Sequence, residues 1–471
     1  MPASARTRRS RPARTDPARR VAYDLLRAVD EHDSYANLAL PALLRQRGLH
    51  GRDAALATEL AYGTLRGRGT YDAVLAACVD RPLDQLDPPV LDVLRLGAHQ
   101  LLETRIPPHA AVASTVALAR EALTAGPAGL VNAVLRRVAE HDLPTWLARL
   151  APDAEADPDG HLAVTTSHPA WVVRALRDAL RADGRDPAEL ARLLAADNRA
   201  PAVTLVARPG RASRDELVAA GANPGRWSPY AAVLPAGDPA GVPAVAAGRA
   251  GVQDEGSQLV ALMLRAAPLA GPDTRWADLC AGPGGKAALL AALADPVGAE
   301  LVAVESAAHR ADLVRRALTG TPGRWRVEVG DGRAVGAAVT DGAVQPYDRV
   351  LVDAPCTGLG ALRRRPEARW RKTPADVATL TRLQRELLGS ALDAVRPGGV
   401  VAYATCSPHV AETRVVVDDV LRRRGDVEAL DAGAVLRDVA PDLPLGPGPY
   451  AQLWPHVHRT DAMFVALLTR R

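Results

Sequence analysis

The sequence predicts a multidomain chain: an all-α N-terminal bundle, a small α/β segment, and a C-terminal α/β domain built on a doubly wound, Rossmann-like sheet. Three observations predict it. Up to about Glu140 apolar residues fall at helical spacing and no run reads convincingly as a strand. From about Gly251 short apolar strands alternate with helices. Four of those strands close on acids, Asp278, Glu305, Asp331 and Asp353, whose spacings of 27, 26 and 22 residues each fit a strand plus a crossover helix.

At 471 residues and 48% hydrophobic content the chain can form two or three cores of ordinary size. Lysine and arginine total 58 against 54 acids, a net charge of +4 that is compatible with nucleic acid without demanding it. The first twenty residues carry Arg6, Arg8, Arg9, Arg11, Arg14, Arg19 and Arg20 against Asp16 alone, so 1–16 reads as a disordered basic arm. No apolar segment follows it as an export signal requires, and no run of about 18 apolar residues occurs, which points to a cytoplasmic chain without a membrane span. The four cysteines, 78, 280, 356 and 406, form no CxxC pair, which argues against disulfides and against a structural metal.

Residues 17–145 read as helices, beginning at the Asp16-Pro17 cap. In 130-LVNAVLRRV-138 the residues Val131, Val134, Leu135 and Val138 form one apolar face, with Arg136 and Arg137 on others. Those charges fit a solvated bundle surface and an RNA-binding face equally well. Residues 146–249 read as a linker, 151-APDAEADPDG-160, followed by a small α/β subdomain with helices at 168–184, 187–198 and 214–221 and a strand at 202–209. Residues 250–471 read as a Rossmann-like domain, with strands at 275–278, 300–305, 326–331, 348–353 and 398–406. Ligands of such sheets bind beyond the carboxyl ends of the strands, so these five ends converge on one crevice.

After the first strand, 280-CAGPGGK-286 opens an apolar helix. Its glycines permit a tight turn and close backbone approach to a ligand, although tight packing explains such turns too. It matches neither the dinucleotide GxGxxG spacing nor the phosphate-binding GxxxxGK[ST]. Glu305, twenty residues past Gly285, is suited to accept both ribose hydroxyls, and Asp331 to meet an adenine. Any one of these acids alone is better explained as a helix cap. Three in register favour a nucleoside cofactor without phosphates, S-adenosylmethionine.

The other end of the crevice carries thiols. Cys356 in 353-DAPCTG-358 and Cys406 in 404-ATCSP-408 each follow a strand end beside a proline, on strands expected to be neighbours. A strand-end thiol near a helix N-terminus can become a nucleophile, whereas Cys78 reads as a small core residue. Two thiols beside a methyl donor suit one chemistry: a thiolate adds to carbon 6 of a pyrimidine, making carbon 5 nucleophilic, and a second group then helps release. Asp353 is suited to bond the cytosine amine and ring nitrogen. The base must be unstacked to be reached.

The motifs 278-DLCAGPGGK-286, 353-DAPCTG-358 and 404-ATCSP-408, in that order, resemble the RNA 5-methylcytosine methyltransferase family that includes the Sun/RsmB and NOL/NOP proteins. The resemblance implies that Cys406 attacks carbon 6, that Cys356 assists release and that Asp353 contacts the base. It implies S-adenosylmethionine contacts from Cys280, Ala281, Gly282, Pro283, Gly284, Gly285 and Lys286, and from Glu305, Arg310, Asp331 and Asp353. The N-terminal helices are similar to the NusB-type RNA-binding fold, which within this family implies 16S rRNA or a small-subunit assembly intermediate as partner; a monomer is expected. Arg459 and Ala462 stand where the family usually has glycines. The run 363-RRRPEARWRK-372 offers Arg363, Arg364, Arg365, Arg369, Trp370 and Arg371 to grip RNA phosphates and stack a base, with a solvated helix face as the alternative. Ser257, in 253-QDEGSQ-258, reads as a cap of the next helix. Two other readings stay open: the same chemistry on tRNA or another RNA, and a non-catalytic NusB-like binding or antitermination factor, against which the intact Cys406, Cys356 and Asp353 speak.

Overall fold

The computed structural model describes residues 16–32, 34–123 and 126–471; the basic arm expected over 1–16 therefore lies, but for Asp16, outside the described residues. The described chain forms two compact units. One holds the residues up to Ala170 together with Arg365–Glu367, and the other holds Trp171–Arg364 and Ala368–Arg471. Among the described residues no helix is long and apolar enough to cross a membrane.

The first unit is all-helical among its described residues, with its longest helices at Pro17–His32, Gly51–Cys78, Pro88–Leu102 and Pro108–Ala122. The first begins where the sequence places it, because the Asp16 carboxylate accepts the Ala18 amide at 2.8 Å and Pro17 has no amide to satisfy. On helix Pro127–Val138 the expected face is buried: Val131, Val134, Leu135 and Val138 all enter the core. Gly97 makes this possible, since a Cβ there would lie 2.6 Å from a Leu135 methyl. Burying a leucine of this kind contributes about 1.5–3 kcal/mol. The expected linker 151–160 is structured at its end. Asp157 accepts the Gly160 amide at 2.9 Å and starts a helix, Pro158–Thr166, whose Val164 carbonyl accepts the Thr70 hydroxyl at 2.6 Å. The helical unit thus continues past residue 145, the end expected for it.

The second unit contains two sheets. The smaller has four antiparallel strands, β1 (Val203–Ala207), β2 (Asn223–Pro224), β3 (Ala231–Leu234) and β4 (Ala250–Val252), in the order β2-β3-β1-β4. β2 and β3 lie within 222–249, for which no strand is expected from the sequence. Short alanine-rich strands become stable here because Leu205, Ala207, Ala232 and Leu234 close a core with Leu217 and Val242.

The larger sheet is built from β5 (Arg275–Asp278), β6 (Glu300–Glu305), β7 (Arg324–Val329), β8 (Tyr347–Asp353), β9 (Val395–Thr405), β10 (Val427–Leu430), β11 (Ala451–Gln452) and β12 (Phe464–Arg470). Its order is β10-β12-β9-β8-β5-β6-β7, with β11 paired to β12. β5 to β9 are parallel, as expected; β12 runs antiparallel between β9 and β10, which makes the sheet mixed. The β7 strand ends at Val329, so Asp331 lies two residues beyond it and caps the turn Gly332–Ala334. Helices Glu255–Ala266 and Gly285–Ala294 pack with one face of the sheet and Pro374–Ala394 with the other.

Candidate active site

The parallel register brings the strand ends together. Asp353 at the end of β8 pairs with Ala404 of β9, and the Ala354 amide donates to the Ala404 carbonyl at 2.8 Å. Two residues on from each of this pair stand Cys356 and Cys406. Their sulfurs are 3.4 Å apart and both residues are half-buried. The shared sulfur contact and burial push the Cys356 thiol well up, and the charges of Cys406 and Glu412 add to this. Cys356 therefore holds its proton, unlike an activated strand-end thiol.

Lys286, in the first turn of helix Gly285–Ala294, donates from Nζ to Asp353 Oδ2 at 2.9 Å. Burial alone would discharge the amine, but Asp353, and beyond it Cys406 and Asp278, hold it protonated above its ordinary range. An ammonium here also attracts a thiolate at Cys406. Asp278, the end of β5, is fully buried with its Oδ2 unpartnered; burial, then the neighbouring Asp353, pushes its carboxyl up to about 7.

Beside this charged pair lies a cavity of about 210 Å³ lined by Leu279, Cys280, Glu305, Arg310, Asp331, Pro355 and Leu387, among others. Four of the residues expected at the cofactor, Cys280, Glu305, Arg310 and Asp331, share its wall. Glu305 is buried, accepting the Gly282 amide at 3.1 Å, the Ala307 amide at 2.9 Å and Arg310 through both oxygens at 2.7 and 2.8 Å. These bonds outweigh its burial and hold its carboxyl below the usual range. Asp331 pairs with Arg333 at 2.6 Å. In 280-CAGPGGK-286 Gly284 adopts a φ of +109° while Ala317 and the Val314 backbone crowd its missing Cβ, so the turn requires glycine. Ala281 is buried, and Gly282, Pro283 and Gly285 complete the loop around it. The donor set suits a nucleoside. Leu279, Pro355 and Leu387 give it apolar walls, and its two cations, Arg310 and Arg333, are held by Glu305 and Asp331 rather than offered to a phosphate. Leu279, Pro355, Leu383 and Leu387 carry no sequence signal of this role, because their apolar spacing reads as ordinary core.

Glu412 is a further residue that the sequence conceals. It is fully buried six residues after Cys406 and accepts hydrogen bonds from Thr357 and Ser407, the residues that follow the two cysteines. The Gly360 amide donates to the Cys406 carbonyl at 2.9 Å, and the Ala462 amide to the Gly360 carbonyl at 2.8 Å. Arg459, in a glycine position of the family, has the left-handed φ of +62° that explains the preference.

The arginine run needs correction. Arg363 and Arg364 are turned inward, Arg363 bonding the Arg459 carbonyl at 3.0 Å and Arg364 pairing with Asp461 at 3.0 Å and with Asp254. Arg369 is fully buried and donates to Asn198 at 2.8 Å. Buried guanidinium groups with protein partners are not offered to phosphates, so these three are structural. Arg365 lies over the Tyr35 ring at 4.6 Å. Trp370 and Arg371 are half-buried. Ser257 does not cap its helix; Asp254 does, through the Gly256 amide at 2.9 Å.

A Rossmann-like sheet with a cavity at the ends of its parallel strands and two neighbouring thiols suits a methyltransferase. Residues 267–469 match the 16S rRNA methyltransferase RsmB/F family model and residues 16–140 the NusB family. The chain is 54% identical over 468 residues, 99% of each chain, to Rv1407 of Mycobacterium tuberculosis, which is named as a methyltransferase with no substrate stated. It is 34% identical over 413 residues to ribosomal RNA small subunit methyltransferase B of Pseudomonas putida, covering 86% of this chain and 89% of that one. The crystal structure of PH0851 superimposes with a TM-score of 0.79 at 20% identity, over 97% of this chain and 99% of the other, a likeness of fold. The chain belongs to the RsmB family of methyltransferases.

Proposed function

We propose that the protein methylates carbon 5 of a cytosine in 16S rRNA, in the cytoplasm, through a covalent bond between Cys406 and carbon 6. The observation that carries this reading is the pair of sulfurs 3.4 Å apart beside the Lys286–Asp353 pair. S-adenosylmethionine, for which Cys280, Glu305, Arg310 and Asp331 line a suitable cavity, supplies an electrophilic methyl group when bound.

The residues act in order. Asp353 orients an unstacked cytosine by its amine and ring nitrogen. The Cys406 sulfur forms a bond to carbon 6, and the electron pair of the C5–C6 double bond moves to carbon 5, which becomes nucleophilic. Release requires the carbon 5 proton to leave, its electrons to rebuild the double bond and the sulfur–C6 bond to break. Cys356, a protonated thiol 3.4 Å away, gives its proton to the departing Cys406 sulfur, and the proton lost from carbon 5 restores the pair. Arg365, Trp370 and Arg371 are proposed to contact RNA, with the NusB-like helices. The names of relatives that act on small-subunit rRNA support that substrate.

The test uses Cys356→Ala and Cys406→Ala proteins incubated with S-adenosylmethionine and unmethylated total RNA, then run on a denaturing gel. A denaturant-resistant adduct with Cys356→Ala and none with Cys406→Ala is expected, and sequencing the trapped RNA names the target. An adduct with Cys406→Ala alone reverses the two thiols. RNA binding by the wild type without methylation or adduct in any variant refutes the enzymatic reading.

A further inference from the structure

We propose that Glu412 is a positioning residue of the methyl transfer: a buried carboxylate that fastens the two cysteine loops to each other and so sets the distance between the reacting thiols. The inference rests on the cytosine-C5 reading above.

Every donor that Glu412 engages belongs to a segment touching one of the cysteines. Its Oε1 accepts the Thr357 amide at 2.8 Å and the Gln384 side-chain amide at 3.2 Å. Its Oε2 accepts the Ser407 hydroxyl at 2.7 Å and, in a short bond, the Thr357 hydroxyl. Thr357 and Ser407 directly follow Cys356 and Cys406, and their hydroxyls are themselves 3.0 Å apart. Gln384 also donates to the Pro355 carbonyl at 2.9 Å, on the other side of Cys356. The Glu412 carbonyl accepts the Tyr403 hydroxyl at 2.7 Å, which ties the clamp to β9.

Two features distinguish this from ordinary packing. A buried carboxylate is costly unless paired, yet no lysine or arginine forms an ion pair with Glu412 among the described residues; four hydrogen bonds satisfy it instead. It also has no exposed surface, so it cannot touch substrate and acts only through its neighbours. Its negative charge also helps to keep Cys356 protonated.

The full-length protein carrying Glu412→Ala or Glu412→Gln tests this with two readouts. The first needs no substrate: diamide takes two electrons and two protons from a neighbouring thiol pair, leaving a disulfide and the reduced hydrazine. Wild type is expected to form the Cys356–Cys406 disulfide rapidly, Glu412→Ala at least about tenfold more slowly, and Glu412→Gln within about threefold, since glutamine keeps Oε1 and the two hydroxyls can rotate to accept from its amide. The second is turnover, where a displacement of about 1 Å costs on the order of 100-fold. Glu412→Ala should lose this in kcat while KM for RNA and affinity for S-adenosylmethionine stay within about threefold. Unchanged disulfide formation in Glu412→Ala, or loss of cofactor affinity in step with kcat, overturns the proposal. If Glu412→Ala does not fold, Glu412→Gln decides: a 100-fold loss of turnover in that variant while disulfide formation stays within about threefold of wild type refutes a positioning role. A wild type that forms the disulfide but methylates no cytosine would sink the C5 reading and leave the clamp standing.

Discussion

Gly360→Ala should uncouple cofactor binding from chemistry. A Cβ at Gly360 would lie 2.8 Å from the Cys406 carbonyl oxygen, and still closer to that of Ala462. Both are backbone atoms, so no side chain can rotate away. A carbon and a carbonyl oxygen settle at about 3.3 Å or more, so the Cys406 loop must move by about 0.5 Å or the hydrogen bonds at 2.9 and 2.8 Å on either side of Gly360 must stretch. Overpacking of this kind costs about 1–3 kcal/mol in stability. The catalytic effect is expected to be larger, because the proposed covalent attack tolerates only about 0.5 Å of misplacement, and we expect kcat to fall by about 10- to 100-fold. The cavity lined by Glu305 and Asp331 does not include Gly360, so S-adenosylmethionine affinity should stay within about twofold. Single-turnover methylation alongside calorimetric cofactor binding checks both halves. A variant with wild-type turnover, or one losing affinity and rate together, would refute the reasoning.

Other expectations follow from single residues. Burial raises the Asp278 carboxyl to about 7 in the folded protein, so the folded state binds the extra proton. Its contribution is fully present below the unfolded carboxylate range and is lost as pH climbs from about 4 to about 7, on the order of 1.4 kcal/mol per unit. Urea midpoints of Asp278→Asn should accordingly gain on wild type from pH 5 to pH 8; parallel curves would show that the carboxyl is not so raised. Leu387→Ala removes a buried wall of the cofactor cavity and should cost about 2–4 kcal/mol while weakening S-adenosylmethionine binding, which thermal unfolding with and without cofactor would report. Arg459→Gly relieves a left-handed φ of +62° at an exposed side chain and keeps the carbonyl bonded by Arg363. Relief of about 1–2 kcal/mol less about 0.4–1 kcal/mol of added chain entropy should raise the melting temperature slightly.

The parallel half of the large sheet was legible because β5, β6 and β8 are apolar runs closed by an acid, and Asp278, Glu305 and Asp353 end them as read. Asp331 sits two residues late because β7, at the edge of the parallel strands, stops at Val329 before the glycine turn. β10 and β12 escaped notice: they join antiparallel and obey no strand–helix rhythm. The arginine run misled for a physical reason. Asp254 lies 110 residues from its partner Arg364, and a local excess of charge says nothing about carboxylates that arrive from elsewhere. Glu412 was hidden the same way, since a lone glutamate after 404-ATCSP-408 reads as an ordinary helix-start acid. The motif residues proposed to do chemistry were visible; the residues that hold them were not, because support depends on contacts made only by folding.

The Lys286–Asp353 pair has a consequence for observing the site. The chain holds only two lysines, Lys286 and Lys372, so a sample labelled with 15N at lysine Nζ has two side-chain signals. One belongs to an ammonium held 2.9 Å from Asp353 and only 12% exposed. If Asp353 takes up a base as proposed, that nitrogen would lose or share its partner and its resonance would shift. An arginine-biased chain thereby carries its own spectroscopic reporter at the site proposed for substrate and cofactor.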